Sequence, residues 1–163
     1  MKARAKDGEG AAKDLSIFAK AFCSINSFHL NGDQTKSGYS KFTYRPFTLE
    51  GNFAFASGLQ EMLLQSYAGF IEVFPAVPAS WQNISFSTLR AEGAFLVSAK
   101  KENGQVSEVR ITSEKGSMAR LKLPFKTWII ASNKNAKVID SQNGMLTIKF
   151  SRNGEILIKN GYE

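Results

Sequence analysis

Apolar residues recur at helical spacing in two stretches of the first half of the chain. The residues between 11 and 22 place one apolar face at this spacing, formed by Leu15, Phe18, Ala19 and Phe22. The residues between 52 and 66 repeat the pattern, with Leu59, Met62, Leu63 and Ser66. The pattern therefore predicts two helices, over 11–22 and 52–66. A long polar and aromatic loop over 24–47 is predicted to join them.

The apolar period shortens to two in the second half of the chain. Short alternating runs at 95–99, 109–111, 121–123, 146–150 and 156–158 predict β-strands. The Asn-Gly pairs at 103–104 and 153–154 lie between such runs, and Asn-Gly in that position is the strongest short signal for a hairpin. We therefore predict an α+β fold, with a helical segment over 1–75 followed by an antiparallel β-sandwich over 76–163.

The charge of the chain does not indicate nucleic-acid binding. Its 21 Lys and Arg against 14 Asp and Glu give a net charge of +7. Residues 1–75 hold 8 basic and 7 acidic side chains. Residues 76–163 hold the other 13 basic and 7 acidic side chains, so most of the excess positive charge lies in the predicted strands. There the lysines alternate with apolar residues, as expected for strands with one solvated face. We expect neither a nucleic-acid partner nor, without an apolar run of about 18 residues, a membrane span.

Candidate metal ligands are few. The single cysteine, Cys23, excludes an internal disulfide framework and a cysteine-based metal site. His29, Asn31 and Asp33 are close in sequence, but one histidine and one carboxylate are too few for a convincing metal site. We expect no metal and no cofactor.

An ordered set of motifs between residues 46 and 95 resembles the glycoside hydrolase family 95 α-L-fucosidases. The set comprises Pro-Phe-Thr-Leu-Glu-Gly-Asn-Phe at 46–53, Glu-Met-Leu-Leu-Gln-Ser at 61–66 and Phe-Pro-Ala-Val-Pro at 74–78. Leu-Arg-Ala at 89–91 and Gly-Ala-Phe at 93–95 follow it. Weaker similarity extends from residue 3 to about residue 115, and beyond that only the general strand pattern remains.

The resemblance implies a fold and an activity. Enzymes of this family have an N-terminal β-domain, a central (α/α)6 barrel that holds the active site, and a C-terminal β-sandwich. The chain resembles the last barrel helices and that sandwich. The implied activity is inverting hydrolysis of α-L-fucosides or related α-L-galactosides, with a fucosylated glycan as substrate. Such enzymes are typically periplasmic or secreted. The glutamate that serves as general acid and the asparagines that orient the water have no counterpart in these residues, so we expect the isolated chain to be inactive.

Glu50 occupies the position of the family's aspartate before Gly-Asn-Phe, with a side chain one methylene longer. The resemblance implies that Glu50 is the base, or supports the base, in the intact enzyme. The alternative is that Glu50 only places negative charge near the N-terminus of the following helix. Asn52 has two interpretations as well, a sugar contact or the N-cap of that helix.

The loop before Glu50 supplies the other candidate substrate-binding residues, Tyr44, Arg45, His29 and Asp33. An aromatic ring combined with fork-like hydrogen-bonding groups is typical of sugar sites. The alternative is an ordinary solvated loop. A different function also remains open, a non-catalytic sandwich that binds a glycan or a protein partner. Exposed helical faces would also favour self-association.

Overall fold

The computed structural model describes residues 1–42 and 45–161. Two helices and mainly antiparallel strands confirm the predicted α+β class. By backbone proximity the chain divides into two compact units. The first consists of residues 1–62 with 76–78, and the second of residues 63–75 with those from 79 onward. The domain boundary near residue 76 stays a prediction.

Both helices begin earlier than the apolar pattern predicts. Helix α1 spans Gly8–Ala21, because the Asp7 side chain caps it by accepting a hydrogen bond from the Gly10 N–H at 2.8 Å. Helix α2 spans Leu49–Leu63. It ends before residue 66 because the next two residues form strand β1, Leu64–Gln65, which pairs with strand β2, Glu72–Val73.

The second unit contains a six-stranded antiparallel arrangement. Its strands are β3 Ile84–Ala91, β4 Phe95–Glu102, β5 Gln105–Ser113, β6 Met118–Lys122, β7 Trp128–Gln142 and β8 Met145–Asn160. The order is β3-β4-β5-β8-β6, and β7 pairs with β8. The sequence pattern missed β3, where a register shift between Phe86 and Leu89 interrupts the apolar alternation. It missed β7 because most side chains of that strand are exposed.

Strand β8 turns a corner of the sandwich. Its first part, 145–149, pairs with β6, and its last part, 154–159, pairs with β5. Strand β7 pairs with both parts of β8. A strand that changes partners in this way joins the two halves of a β-sandwich. The two short strands predicted at 146–150 and 156–158 are thus one continuous strand.

The hydrophobic core lies between these strands. The fully buried apolar side chains of this core come from four of them, and β5 and β8 contribute alternate residues. They are Val97, Val109, Ile111, Leu121, Leu146, Ile148, Ile156 and Ile158. The alternation read from the sequence therefore identified the buried face of each of these strands.

Of the Asn-Gly pairs at 103–104, 143–144 and 153–154, two form hairpins and one lies inside a strand. Asn103-Gly104 forms the β4–β5 hairpin, as predicted, with φ angles of 50° and 80°. The prediction of a hairpin at Asn153-Gly154 was wrong, because that pair lies inside β8. The β7–β8 hairpin forms at Asn143-Gly144 instead, where φ is 51° and 72°. At Asn153, where φ is 56°, the positive φ serves the corner in β8.

Candidate active site

Glu50 lies in the first turn of helix α2, in the first unit. Its side chain is exposed to solvent. A carboxylate at this place is favoured by the positive end of the helix dipole. Both interpretations of Glu50 require this position, so its location alone does not separate them.

His29 fastens the preceding loop to the start of helix α2. Its Nδ1 atom lies 2.7 Å from the Thr48 hydroxyl and 3.1 Å from the Thr48 carbonyl oxygen. A protonated Nδ1 donates to the carbonyl oxygen, whereas an unprotonated Nδ1 accepts from the hydroxyl. The His29 carbonyl in turn accepts from the Thr48 N–H at 3.1 Å. The ring stacks on Phe18 of α1 with a centroid distance of 5.1 Å.

Gly51 makes this placement of His29 possible. A Cβ atom at position 51 would overlap the imidazole ring. Gly51 lies within helix α2, so it does not form a bend before the helix. Glycine is required there for the close approach of a side chain rather than for a special backbone angle.

Asn52 is not the N-cap of α2, because the helix begins at Leu49. Its side chain instead bridges to the loop. Asn52 Oδ1 accepts from the His29 N–H at 2.8 Å, and Asn52 Nδ2 donates to the Ser27 carbonyl at 2.8 Å. Both polar atoms of the amide therefore hold the loop against the first turn of the helix. A direct contact with a sugar stays a prediction.

Arg45 lies four residues before the start of helix α2. Arg45 is exposed, and within residues 1–42 and 45–161 it forms no ion pair. Its guanidinium is therefore available to a ligand. Tyr44 lies outside the described residues.

Asp33 is buried, with 2% of its surface exposed, and the loop around it occupies its carboxylate. Oδ1 accepts from the Thr35 N–H at 2.9 Å and the Thr35 hydroxyl at 2.6 Å, and Oδ2 accepts from the Tyr39 N–H at 3.1 Å. The Thr35 hydroxyl, followed by the backbone N–H groups, lowers the pKa of Asp33. The carboxylate thus organises residues 33–39, and its proposed contact with a sugar stays a prediction.

The lowered pKa of Asp33 predicts an acid-sensitive loop. The folded loop favours the ionised carboxylate, so its stabilisation is complete above the ordinary aspartate pKa of about 3.9 and is lost as pH falls through the lower folded value. We expect the Thr35 and Tyr39 amide resonances to move together over that interval in an NMR titration. Asp33→Asn lacks the titrating group, and the same shifts in that variant would contradict the assignment.

Two further predictions concern metal binding and membrane insertion. Within the described ranges, no three His, Cys, Asp or Glu side chains come together as a metal site would require. No helix in these ranges combines the length and apolar character needed to cross a membrane.

Sequence reasoning missed Thr48 as a member of this cluster. A threonine just before a helix is a common signal for a helix start. The apolar stripe had placed the helix start at Asn52, so that signal was not used. The contact between Thr48 and the distant His29 has no signal in the sequence.

Two comparisons with known proteins bear on this arrangement. Residues 65–158 match the model of the glycoside hydrolase family 95 C-terminal domain, which is more than half of the chain. The chain is also 40% identical over 70 residues to alpha-L-fucosidase 2 of Arabidopsis thaliana. That alignment covers 42% of this chain but only 8% of the plant protein. The family match confirms the resemblance seen in the sequence motifs, and the chain belongs to glycoside hydrolase family 95, whose C-terminal domain it contains.

Proposed function

We propose that this chain is the C-terminal part of an inverting glycoside hydrolase that acts on α-L-fucosides or related α-L-galactosides. Glu50 acts in the intact enzyme as the base that activates water, or as the support of that base. The isolated chain does not hydrolyse its substrate. A periplasmic or secreted location of the whole protein belongs to the same proposal.

The observation that carries the proposal is the fixed, solvent-facing position of Glu50. The carboxylate is exposed at the first turn of α2, while Thr48 and Asn52 on either side of it are hydrogen-bonded to the loop through His29 and Ser27. A catalytic carboxylate must be held to within about 1 Å, since larger errors cost roughly 100-fold in rate. A helix-end charge alone needs no such support.

Exposed aromatic rings in the loop before helix α2 and in the helix itself also support a sugar site. The Phe28 and Phe47 rings lie 5.4 Å apart, and both side chains are substantially exposed. Phe53, one helical turn after Glu50, is 67% exposed. Such rings provide the apolar surface on which the C–H face of a sugar packs. Self-association of the isolated chain through exposed helical faces is part of the same proposal.

The state of Asp33 supports the inactivity of the isolated chain. An inverting glycosidase needs a second carboxyl group, whose raised pKa keeps it protonated as the general acid. Asp33 is the other carboxylate predicted for the site, and its pKa is lowered by hydrogen bonds. Hydrogen bonds that favour the ionised form are the opposite of what a general acid requires, which agrees with the proposal that the acid belongs to another part of the intact enzyme.

A hydrolysis assay tests the proposal. We expect 4-nitrophenyl α-L-fucoside to remain intact with the isolated chain. The product of the full open reading frame should hydrolyse it and release the β-anomer first, as seen by NMR. Turnover by the isolated chain would contradict the proposal that the general acid lies outside it. A full-length product without activity on either α-L-fucosides or α-L-galactosides would overturn the proposed substrate class.

A further inference from the structure

Two adjoining cavities lie at one end of the sandwich, where the β4–β5 hairpin approaches the end of β8. Their volumes are about 530 and 510 Å³, in the range of small-ligand sites. Three residues, Gln105, Val106 and Asn160, line both cavities. The two cavities therefore adjoin at these residues, two of which have amide side chains, and together they are called the cleft below.

The amides that line both cavities are available for a ligand. Within residues 1–42 and 45–161, the side chains of Gln105 and Asn160 make no hydrogen bond to protein. Each amide offers a carbonyl acceptor and two N–H donors in one plane. This set matches a pair of neighbouring hydroxyl groups, which both donate and accept. Val106, Pro124 and Phe125 add an apolar wall against which C–H groups pack.

The charges around the cleft favour a neutral ligand. Lys126 lines one cavity and Glu102 the other, so each cavity has one charged side chain and the two have opposite signs. Glu102 is paired with Lys100 at 2.8 Å, and the hydrogen bonds from Lys100 and Ser107 lower its pKa. An anion would meet the ionised Glu102, and a cation would meet Lys126. A neutral, polyhydroxylated molecule avoids both conflicts.

The walls of the cleft are held in place by backbone hydrogen bonds. The Asn103 N–H donates to Asn83 Oδ1 at 2.9 Å, and the Gly104 N–H donates to the Gln82 carbonyl at 2.9 Å. On the other side the Gly161 N–H donates to the Thr127 carbonyl at 3.0 Å. A site with fixed walls loses little entropy when a ligand binds.

From these features we infer that the cleft at the end of the sandwich binds a neutral saccharide. Gln105 and Asn160 bind neighbouring hydroxyls, and Val106 with Pro124 packs against the sugar ring. The inference does not depend on hydrolysis, since it concerns the second unit alone. Failure of the proposed fucosidase activity would leave it unchanged.

The test is a titration of the ¹⁵N-labelled chain with lactose and with 2′-fucosyllactose, followed by NMR. We expect saturable shifts of the Gln105 and Asn160 side-chain amides with at least one of the two sugars. Preference for the fucosylated sugar would link the cleft to the proposed substrate, and equal binding would assign it to neutral saccharides in general. Sodium sulfate at equal concentration should leave these resonances unmoved.

Matched variants test whether the sugar binds in the cleft. We expect Gln105→Ala and Asn160→Ala each to weaken binding about tenfold, as loss of one or two hydrogen bonds would. Gln142→Ala, which removes an exposed amide at the β7–β8 hairpin, should bind like the parent chain. Absence of saturable shifts, or unchanged affinity in both cleft variants, would overturn the inference. Gln105 is exposed, so its substitution is compatible with folding.

Discussion

Ile156→Ala is expected to lower the free energy of unfolding of the sandwich by about 2–5 kcal/mol. The Ile156 side chain is completely buried in β8, and it lies opposite the equally buried Ile111 of β5. Truncation removes apolar area from the core and leaves a cavity beside Ile111 that neighbouring strands fill only in part. A loss of this size is a large fraction of the 5–15 kcal/mol that stabilises an ordinary domain.

Denaturant unfolding followed by tryptophan fluorescence measures this effect, because Trp81 and Trp128 both belong to the second unit. Ile139→Ala is the matched control, since Ile139 is the same residue type on β7 and is 48% exposed. We expect its free energy of unfolding to change by less than about 0.5 kcal/mol. Equal losses in the two variants would contradict the assignment of Ile156 to the core.

Glu50→Gln is expected to reduce kcat by about 10²–10⁴-fold in the product of the full open reading frame. Glutamine keeps the size and shape of the side chain but cannot accept the proton of the attacking water. The loss should appear in kcat with little change in KM, because the base acts in the transition state rather than in substrate binding. Kinetics on an aryl α-L-fucoside or α-L-galactoside provide the measurement.

Glu9→Gln controls for the effect of a first-turn carboxylate on a helix, since Glu9 has that position in α1. The helix-dipole contribution of such a group is about 0.3–1 kcal/mol of stability and has no direct effect on catalysis. If Glu50→Gln keeps full activity and changes only the unfolding midpoint, Glu50 is a helix-end charge and the proposed base must be another residue.

The sequence predicted the kinds of elements in this protein and their order. Apolar spacing distinguished helices in the first half from strands in the second, because the two periods differ strongly. It also identified the buried faces of β4, β5 and β8. The motifs between residues 46 and 95 indicated the family. The match to the family model extends to residue 158. Beyond about residue 115 the sequence itself had shown only the general strand pattern.

The tertiary structure decided what local signals left open. Asn-Gly favours positive φ wherever it occurs, so the dipeptide alone could not assign the hairpin to 143–144 and the corner of β8 to 153–154. That choice depends on the pairing of β8 with β5, β6 and β7. In the same way, the candidate site contained Glu50, His29, Asn52 and Asp33 from the start. Only the folded chain showed that His29 and Asn52 hold the helix start and that Asp33 holds its own loop, because each of these hydrogen bonds depends on how the chain folds back on itself.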